Sequence, residues 1–287
     1  MSRVAYVNGR YVPHGSAAVH VEDRGFQFAD GVYEVWAVLD GKLADTEGHL
    51  ARLERSLREL RIAQPMARAS LMAVVRETVR RNRVRNGLCY LQVTRGQARR
   101  DHVFPAAGTP PSLVVTAKAW DQGAVDAKAR AGGAVITTPE SRWARCDIKT
   151  VGLLPNVLAK QSAREAGAVE AWFVDRDGYV TEGGSTNAWI VDADGRLRTR
   201  DTEANILRGI TRQTLIEVAR SAQFAVDERP FTVEEAKNAR EAFITAASAF
   251  VLPITRIDGQ PIGDGRPGPV ALRLRDLYLD HARNTAS

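Results

Sequence analysis

The chain carries six lysines, few enough to ask of each whether its amine could act as a nucleophile instead of a solvated charge. Lys42 follows a turn, Lys118 ends a strand-like run, Lys128 lies among small residues, and Lys160 and Lys237 sit in charged helical segments. Lys149 differs. In Cys146-Asp-Ile-Lys149-Thr-Val-Gly-Leu-Leu-Pro, apolar residues follow closely and would draw the amine out of water, where it could bond covalently to a carbonyl compound and then carry a proton. The alternative is a lysine whose head reaches water along an apolar stem. Two further stretches suit an anion. Thr181-Glu182-Gly-Gly-Ser185-Thr186-Asn187 sets one carboxylate beside glycines and hydroxyls whose main-chain N–H groups could hold it. Ile206-Leu207-Arg-Gly209-Ile210-Thr211-Arg212 puts a glycine at a helix start, where unpaired N–H groups and the dipole attract phosphate. Taken alone, each is also what an ordinary turn or helix start looks like.

Several familiar chemistries have no motif in the 287 residues. The five histidines, His14, His20, His49, His102 and His281, show neither the i, i+4 spacing of a helical zinc site nor cysteine partners, so no metal is expected. No Gly-x-Ser-x-Gly elbow or Gly-x-x-x-x-Gly-Lys phosphate loop occurs. Gly263-Asp-Gly265-Arg-Pro-Gly268 spells the dinucleotide fingerprint, but too few residues follow to supply a second strand and its acid, so it reads as a turn before the last helix. The net charge of +6 raises nucleic acid as a partner. Yet Arg52, Arg55, Arg58, Arg76, Arg80 and Arg81 are interleaved with Glu54, Glu59 and Glu77, as on salt-bridged helix faces. Neither nucleic acid nor membrane is expected as a partner, since no apolar run approaches a membrane span. The N-terminal residues lack the order of a secretory signal and only Cys89 and Cys146 are cysteines, which points to the cytoplasm.

A lysine, an acid and a helix start far apart in the chain need a framework to meet a common ligand. The length favours two domains. Alternating apolar residues over 3–43, with turns at Asn8-Gly9 and Asp40-Gly41, predict antiparallel strands. Leu50, Leu53, Leu57 and Leu60, then Leu71, Val74, Val75 and Val79, recur at helical spacing. With strands predicted at 88–94 and 112–117, residues 1–118 form a mixed α+β N-terminal domain. Small and polar residues over 119–132 predict a linker. Over 133–287, strands at 133–138, 169–174, 187–191 and 242–246 and helices at 155–166, 209–222, 232–239 and 268–283 predict an α/β C-terminal domain. Thr232 and Glu235 have capping-box spacing.

With these residues in view, the chain resembles, over essentially its whole length, the fold-type IV pyridoxal-phosphate enzymes, the group of the D-amino-acid and branched-chain aminotransferases. The resemblance is carried by Glu22-Asp-Arg-Gly-Phe-Gln-Phe-Ala-Asp-Gly-Val-Tyr33-Glu-Val, His49-Leu-Ala-Arg52-Leu, Gln92-Val-Thr-Arg-Gly and Arg142-Trp-Ala-Arg-Cys-Asp-Ile-Lys149, and it is strongest to the D-amino-acid branch. It implies two α/β domains with the cofactor, pyridoxal 5′-phosphate, at their interface, and a homodimer. It further implies that Lys149 holds the cofactor covalently and moves the reacting proton, and that Glu182 pairs with the pyridine nitrogen. Arg52, the main-chain groups of Ile210 and Thr211, and the loop at Ala246 and Ala247 would cradle the phosphate, while Leu207 packs on the ring. The family has hydroxyl residues where this chain has Ala246 and Ala247; Ser185, Thr186 or Ser248 would compensate.

On the stretch Arg99-Arg100-Asp-His102, Arg100 and His102 match an Arg-x-His pair that, in the D-amino-acid branch, reaches in from the neighbouring subunit. With a tyrosine, here Tyr33, it grips the substrate α-carboxylate, for which a guanidinium, an imidazole and a phenol are suited through charge-assisted bonds. The implied reaction moves an amino group from D-alanine or a similar amino acid to a 2-oxo acid such as 2-oxoglutarate in two half-reactions, with side activity on (R)-amines. The alternatives are a 4-amino-4-deoxychorismate lyase, a branched-chain L-amino-acid aminotransferase and, in a different class, a basic nucleic-acid-binding protein on the same scaffold. Trp36 follows Tyr33 on one strand and would narrow a side-chain pocket if it faced it.

Overall fold

The alternating residues at the N-terminus form a hairpin in the computed structural model, which describes residues 3–203 and 206–287. Strand β1 (Val4–Val7) pairs with β2 (Arg10–Pro13) across Asn8-Gly9, both at positive φ. A short helix, α1 (Arg24–Phe28), follows, capped by the Asp23 carboxylate, which accepts from the N–H groups of Gly25 and Phe26. Then come β3 (Gly31–Leu39), β4 (Lys42–Leu43), α2 (Thr46–Glu59), α3 (Arg68–Arg81), β5 (Gly87–Thr94) and β6 (Ser112–Ala119). The strands lie in the antiparallel order β2-β1-β6-β5-β3-β4. Period-two alternation on β3 sends Val32, Glu34 and Trp36 to one face, where they are fully buried, and leaves Tyr33 and Val35 half-buried on the other. Leu50, Leu53 and Leu57 of α2 and Leu71 and Val75 of α3 complete the core on the buried face.

The second group of elements runs α4 (Gln122–Ala131), β7 (Gly133–Pro139), α5 (Leu154–Glu165), β8 (Glu170–Val174), β9 (Val180–Gly183), β10 (Asn187–Val191), β11 (Leu197–Thr199), α6 (Ile210–Ser221), β12 (Val226–Glu228), α7 (Val233–Lys237), β13 (Glu241–Ala246), β14 (Phe250–Ile257), β15 (Gln260–Pro261) and α8 (Pro269–Thr285). Its sheet has the order β12-β11-β10-β13-β14-β7-β8-β9, with β15 beside β14. The sheet is mixed: β7 runs parallel to β8 and β14. Val135, Trp172, Ile190, Phe231, Ile244 and Leu252 lie in one core cluster. The capping box forms as predicted, Thr232 Oγ1 accepting from Glu235 N at 3.1 Å while Thr232 N donates to Glu235 Oε2 at 2.8 Å.

The structure departs from the sequence reading in several places, among them the unpredicted helix α1 and strands β9, β11, β12 and β15. Residues 122–131 of the expected linker are helix α4, because the alanines there favour a helix and Ala129 is buried. Strand β14 was not predicted; it lies between β13 and β7 although Pro253, opposite Phe243, has no N–H to donate. The chain also divides differently, into the described residues of Met1–Asp121 with Ile148–Gly152 and Ala286–Ser287, and Gln122–Asp147 with Leu153–Thr285. The segment carrying Lys149 thus returns to the first unit, a pairing between distant stretches that periodicity does not reveal.

Candidate active site

Near the start of β3, pairing with Lys149's segment brings that lysine beside Tyr33. Val32 and Thr150 form a bridge, Tyr33 N donates to Lys149 O at 3.0 Å, and Val151 N donates to Gly31 O at 3.1 Å. Lys149 Nζ consequently lies 4.2 Å from the Tyr33 ring centroid, within cation–π range. Lys149 is half-buried, not sequestered as the sequence suggested: Val151 and Leu153 after it are themselves only half-buried and Leu154 is 69 % exposed. Tyr33 stacks on Tyr90 at 5.6 Å, and Tyr90 donates its hydroxyl to Gln92 Oε1 at 2.7 Å. Burial pushes the Tyr90 phenol up to about 12, so that proton stays in place at neutral pH. Trp36 does not narrow a pocket beside Tyr33: it lies on the opposite face, its ring 5.4 Å from that of His49.

Arg52 also belongs to that buried face. His49 and Arg52 stand one turn apart on α2 and both reach Glu34. Arg52 Nε donates to Glu34 Oε1 and Nη2 to Oε2, each at 2.7 Å, and His49 Nδ1 lies 2.7 Å from Oε2. Burial pushes the Glu34 carboxyl up, but the Arg52 charge and the hydrogen bonds from Arg52 and His49 hold it down at about 2. Burial lowers His49 despite Glu34, so the neutral ring donates from Nδ1. Arg52 is therefore oriented before any ligand arrives. Arg100 and His102 stand exposed between β5 and β6, beside Phe28, whose ring centroid is 4.7 Å from the Arg100 guanidinium and 5.5 Å from the His102 ring.

In the second unit, Glu182 on β9 is 5 % exposed and surrounded by donors. Its Oε1 accepts a very short bond from Arg142 Nη1 and another from Leu207 N at 3.1 Å; its Oε2 accepts from Asn187 Nδ2 at 3.1 Å. Arg142 is held in turn by both oxygens of Glu140 at 2.9 and 2.6 Å and lies 4.5 Å from the Phe173 ring. Burial disfavours its charge, but Glu140 and Glu182 more than offset that and raise its pKa. Asn187 Nδ2 also donates to Leu207 O at 3.1 Å, so one amide joins Glu182 to the segment before α6. Gly209 caps α6 with no side-chain hydrogen bond, leaving the N–H groups of its first turn, including Ile210 and Thr211, facing whatever lies ahead of the helix. A Cβ at Gly209 would fall 1.9 Å from Asn187 Oδ1, so only glycine permits this approach.

Ala246 and Ala247, half-buried at the β13–β14 turn, offer no side-chain donor; Ser248 there is exposed. Register places Thr245 opposite Asn187, so this turn lies beside the Glu182 and Gly209 cluster. Ser185 does not present its donors to an outside anion: its N and Oγ donate to Glu170 Oε2 at 3.2 and 3.0 Å. Glu170 is fully buried and also bonds Lys160, and a carboxylate so placed must be paired. Thr186 Oγ1 is buried and has no hydrogen-bond partner among the described residues. A buried acid ringed by donors, an uncapped helix start and an orphaned hydroxyl suit a planar ring bearing a basic nitrogen and a phosphate. No group of three or more histidine, cysteine or acidic side chains able to hold a metal occurs among the described residues.

Sequence reasoning did not assign roles to Glu34, His49, Arg142 or Asn187. Glu34 could have been found from strand alternation, since a carboxylate between Val32 and Trp36 on a core face must have a charged partner. The partners of Arg142 and Asn187 lie on other strands and required the fold.

The family description "Amino-transferase class IV" matches residues 31–257. The chain is 42 % identical over 263 residues to a D-alanine aminotransferase of Bacillus licheniformis, covering 92 % of this chain and 91 % of that one. It is 37 % identical to the D-alanine aminotransferase of Staphylococcus haemolyticus over 98 % and 99 % of the two chains. Among solved structures, a T.th. branched-chain amino acid aminotransferase with pyridoxamine 5′-phosphate superposes with a TM-score of 0.91 at 30 % identity, covering 99 % of this chain and 95 % of that one. The Escherichia coli branched-chain enzyme does so with a TM-score of 0.91 at 25 % identity, covering 98 % and 95 %.

Proposed function

Because the chain belongs to the class IV aminotransferase family, we propose that it transaminates D-amino acids with pyridoxal 5′-phosphate, taking the amino group from D-alanine or a similar donor and passing it to 2-oxoglutarate. The observation that carries this reading is the near full-length identity of 42 % to a D-alanine aminotransferase, against 30 % and 25 % for the two branched-chain enzymes.

The bound cofactor supplies an electron sink for the pair released when the substrate Cα–H bond breaks. Lys149 Nζ would tether it and, once freed, would move the proton between substrate Cα and the cofactor's C4′. Glu182, held by Arg142, Asn187 and Leu207 N, would accept from the ring nitrogen, with Leu207 against the ring. Arg52, fixed by Glu34, would bind phosphate together with the N–H groups of Ile210 and Thr211, the turn at Ala246 and Ala247, and Thr186. Tyr33, with Arg100 and His102 from the second subunit of a homodimer, would orient the α-carboxylate. An (R)-amine lacks that carboxylate and would react only as a side substrate. The scarcity of cysteine supports a cytoplasmic location.

The structural likeness to branched-chain enzymes favours L-leucine as a second reading. Purified protein supplied with 2-oxoglutarate and either D-alanine, L-alanine or L-leucine separates the two. D-glutamate should form from D-alanine and no product from Lys149→Ala; turnover of the L-donors alone would overturn the proposal.

A further inference from the structure

Two arginines that share one carboxylate grip the loop carrying Arg100 and His102. Asp30, between α1 and β3, accepts from Arg24 Nε at 2.8 Å, from Arg95 Nε at 2.7 Å and from Arg95 Nη2 at 2.9 Å. Burial pushes its carboxyl up, but the two guanidiniums prevail and hold it below the ordinary value, so the anchor is ionised at neutral pH. Each arginine then reaches the loop at a different point. Arg24 Nη1 donates at 2.7 Å to the carbonyl of Asp101, the residue between Arg100 and His102. Its guanidinium lies 4.8 Å from the Phe28 ring, the ring beside which Arg100 and His102 also sit. Arg95 donates to the carbonyls of Leu60 and Arg61 at 2.8 and 3.0 Å and lies 3.8 Å from the Phe104 ring centroid. Arg24 and Arg95 are only 3 % and 8 % exposed, whereas residues 100–104 are exposed. A buried fork with an exposed loop fastened to it is the reverse of an ordinary surface arginine, whose charge is solvated and whose hydrogen bonds are transient.

We propose that Arg24, anchored by Asp30, is a positioning residue that presets Arg100 and His102 to receive the substrate carboxylate. A loop held in its binding conformation loses less freedom when the ligand arrives, so the clamp acts on affinity for carboxylate-bearing donors. This inference rests on the reading of Arg100 and His102 given above.

Arg24→Lys retains a charge beside Asp30 but loses the fork, and Phe28→Leu removes the shared ring while leaving the fork in place. For Arg24→Lys, KM for D-alanine should rise about tenfold with kcat within about threefold, while kcat/KM for (R)-1-phenylethylamine, which has no carboxylate, stays within about twofold. Trypsin cleavage after Arg99 and Arg100, followed by mass spectrometry without substrate, should accelerate about tenfold at an unchanged thermal midpoint. Phe28→Leu should give the same pattern more weakly, and Arg24→Lys should cost less on an Arg100→Ala background and nothing further when both Arg100 and His102 are replaced by alanine. Equal losses for both donors, or unchanged cleavage in a folded variant, would overturn the proposal. If the wild type turned over neither donor, the transamination reading would fall, and the cleavage rate alone would decide whether Arg24 orders the loop.

Discussion

Glu34 is a fully buried carboxylate on the core side of the first sheet. It is 0 % exposed, its charge is balanced by Arg52, and it accepts a further hydrogen bond from His49. Its pKa is depressed from 4.5 to about 2, so it contributes stability that is fully present above pH 4.5 and is lost as pH falls through 4.5 toward 2. Glu34→Gln leaves the Arg52 charge buried without its counter-ion and should destabilise the protein by roughly 3–5 kcal/mol at pH 7. Urea unfolding of wild type and variant from pH 7 to pH 3 should show the gap narrowing as the wild-type carboxylate protonates. A gap independent of pH would mean that packing, not the charge pair, sets the cost.

At the scale of elements, three pieces of the second unit converge through one side chain. Asn187, at the start of β10, ties Glu182 on β9 to Leu207 ahead of α6, and Gly209 allows the approach. Gly209→Ala should push Asn187 aside, loosen Glu182 and tilt the uncapped helix start. Cofactor affinity is then expected to fall about tenfold or more, since hydrogen bonds to charged groups are each worth roughly 1.5–3 kcal/mol. Titrating apoprotein with pyridoxal 5′-phosphate by absorbance would measure it. Gly15→Ala, whose Cβ would meet nothing within 4 Å, serves as the control and should bind as wild type does. An unchanged affinity for Gly209→Ala would show that the amide is not needed there.

For the whole molecule, the proposed homodimer gives the exposed Arg100 and His102 a partner site to serve. Mixing Lys149→Ala with Arg100→Ala subunits, after unfolding and refolding together, tests this directly. If the loop acts across the two-fold axis, each mixed dimer has one intact site and one site lacking both residues. Activity should return to about a quarter of wild type, as expected for random pairing of two kinds of subunit. If the loop serves its own chain, every site lacks one residue and mixing restores nothing.

The amino-acid sequence by itself made most helices and strands legible and singled out candidate residues for the chemistry. Apolar periodicity, turn dipeptides and the capping box at Thr232 and Glu235 are local signals, and the motif residues around Tyr33, Lys149 and Glu182 are contiguous enough to be legible. Only the tertiary structure decided that Lys149's segment pairs with β3 beside Tyr33, that Arg52 is fixed by Glu34, and that Ser185 serves Glu170. It also decided that β14 tolerates Pro253 within a sheet. The reason is common to all of these: each depends on a partner distant in the chain, and a buried charge or an open strand edge accepts whichever partner the folded backbone brings to it.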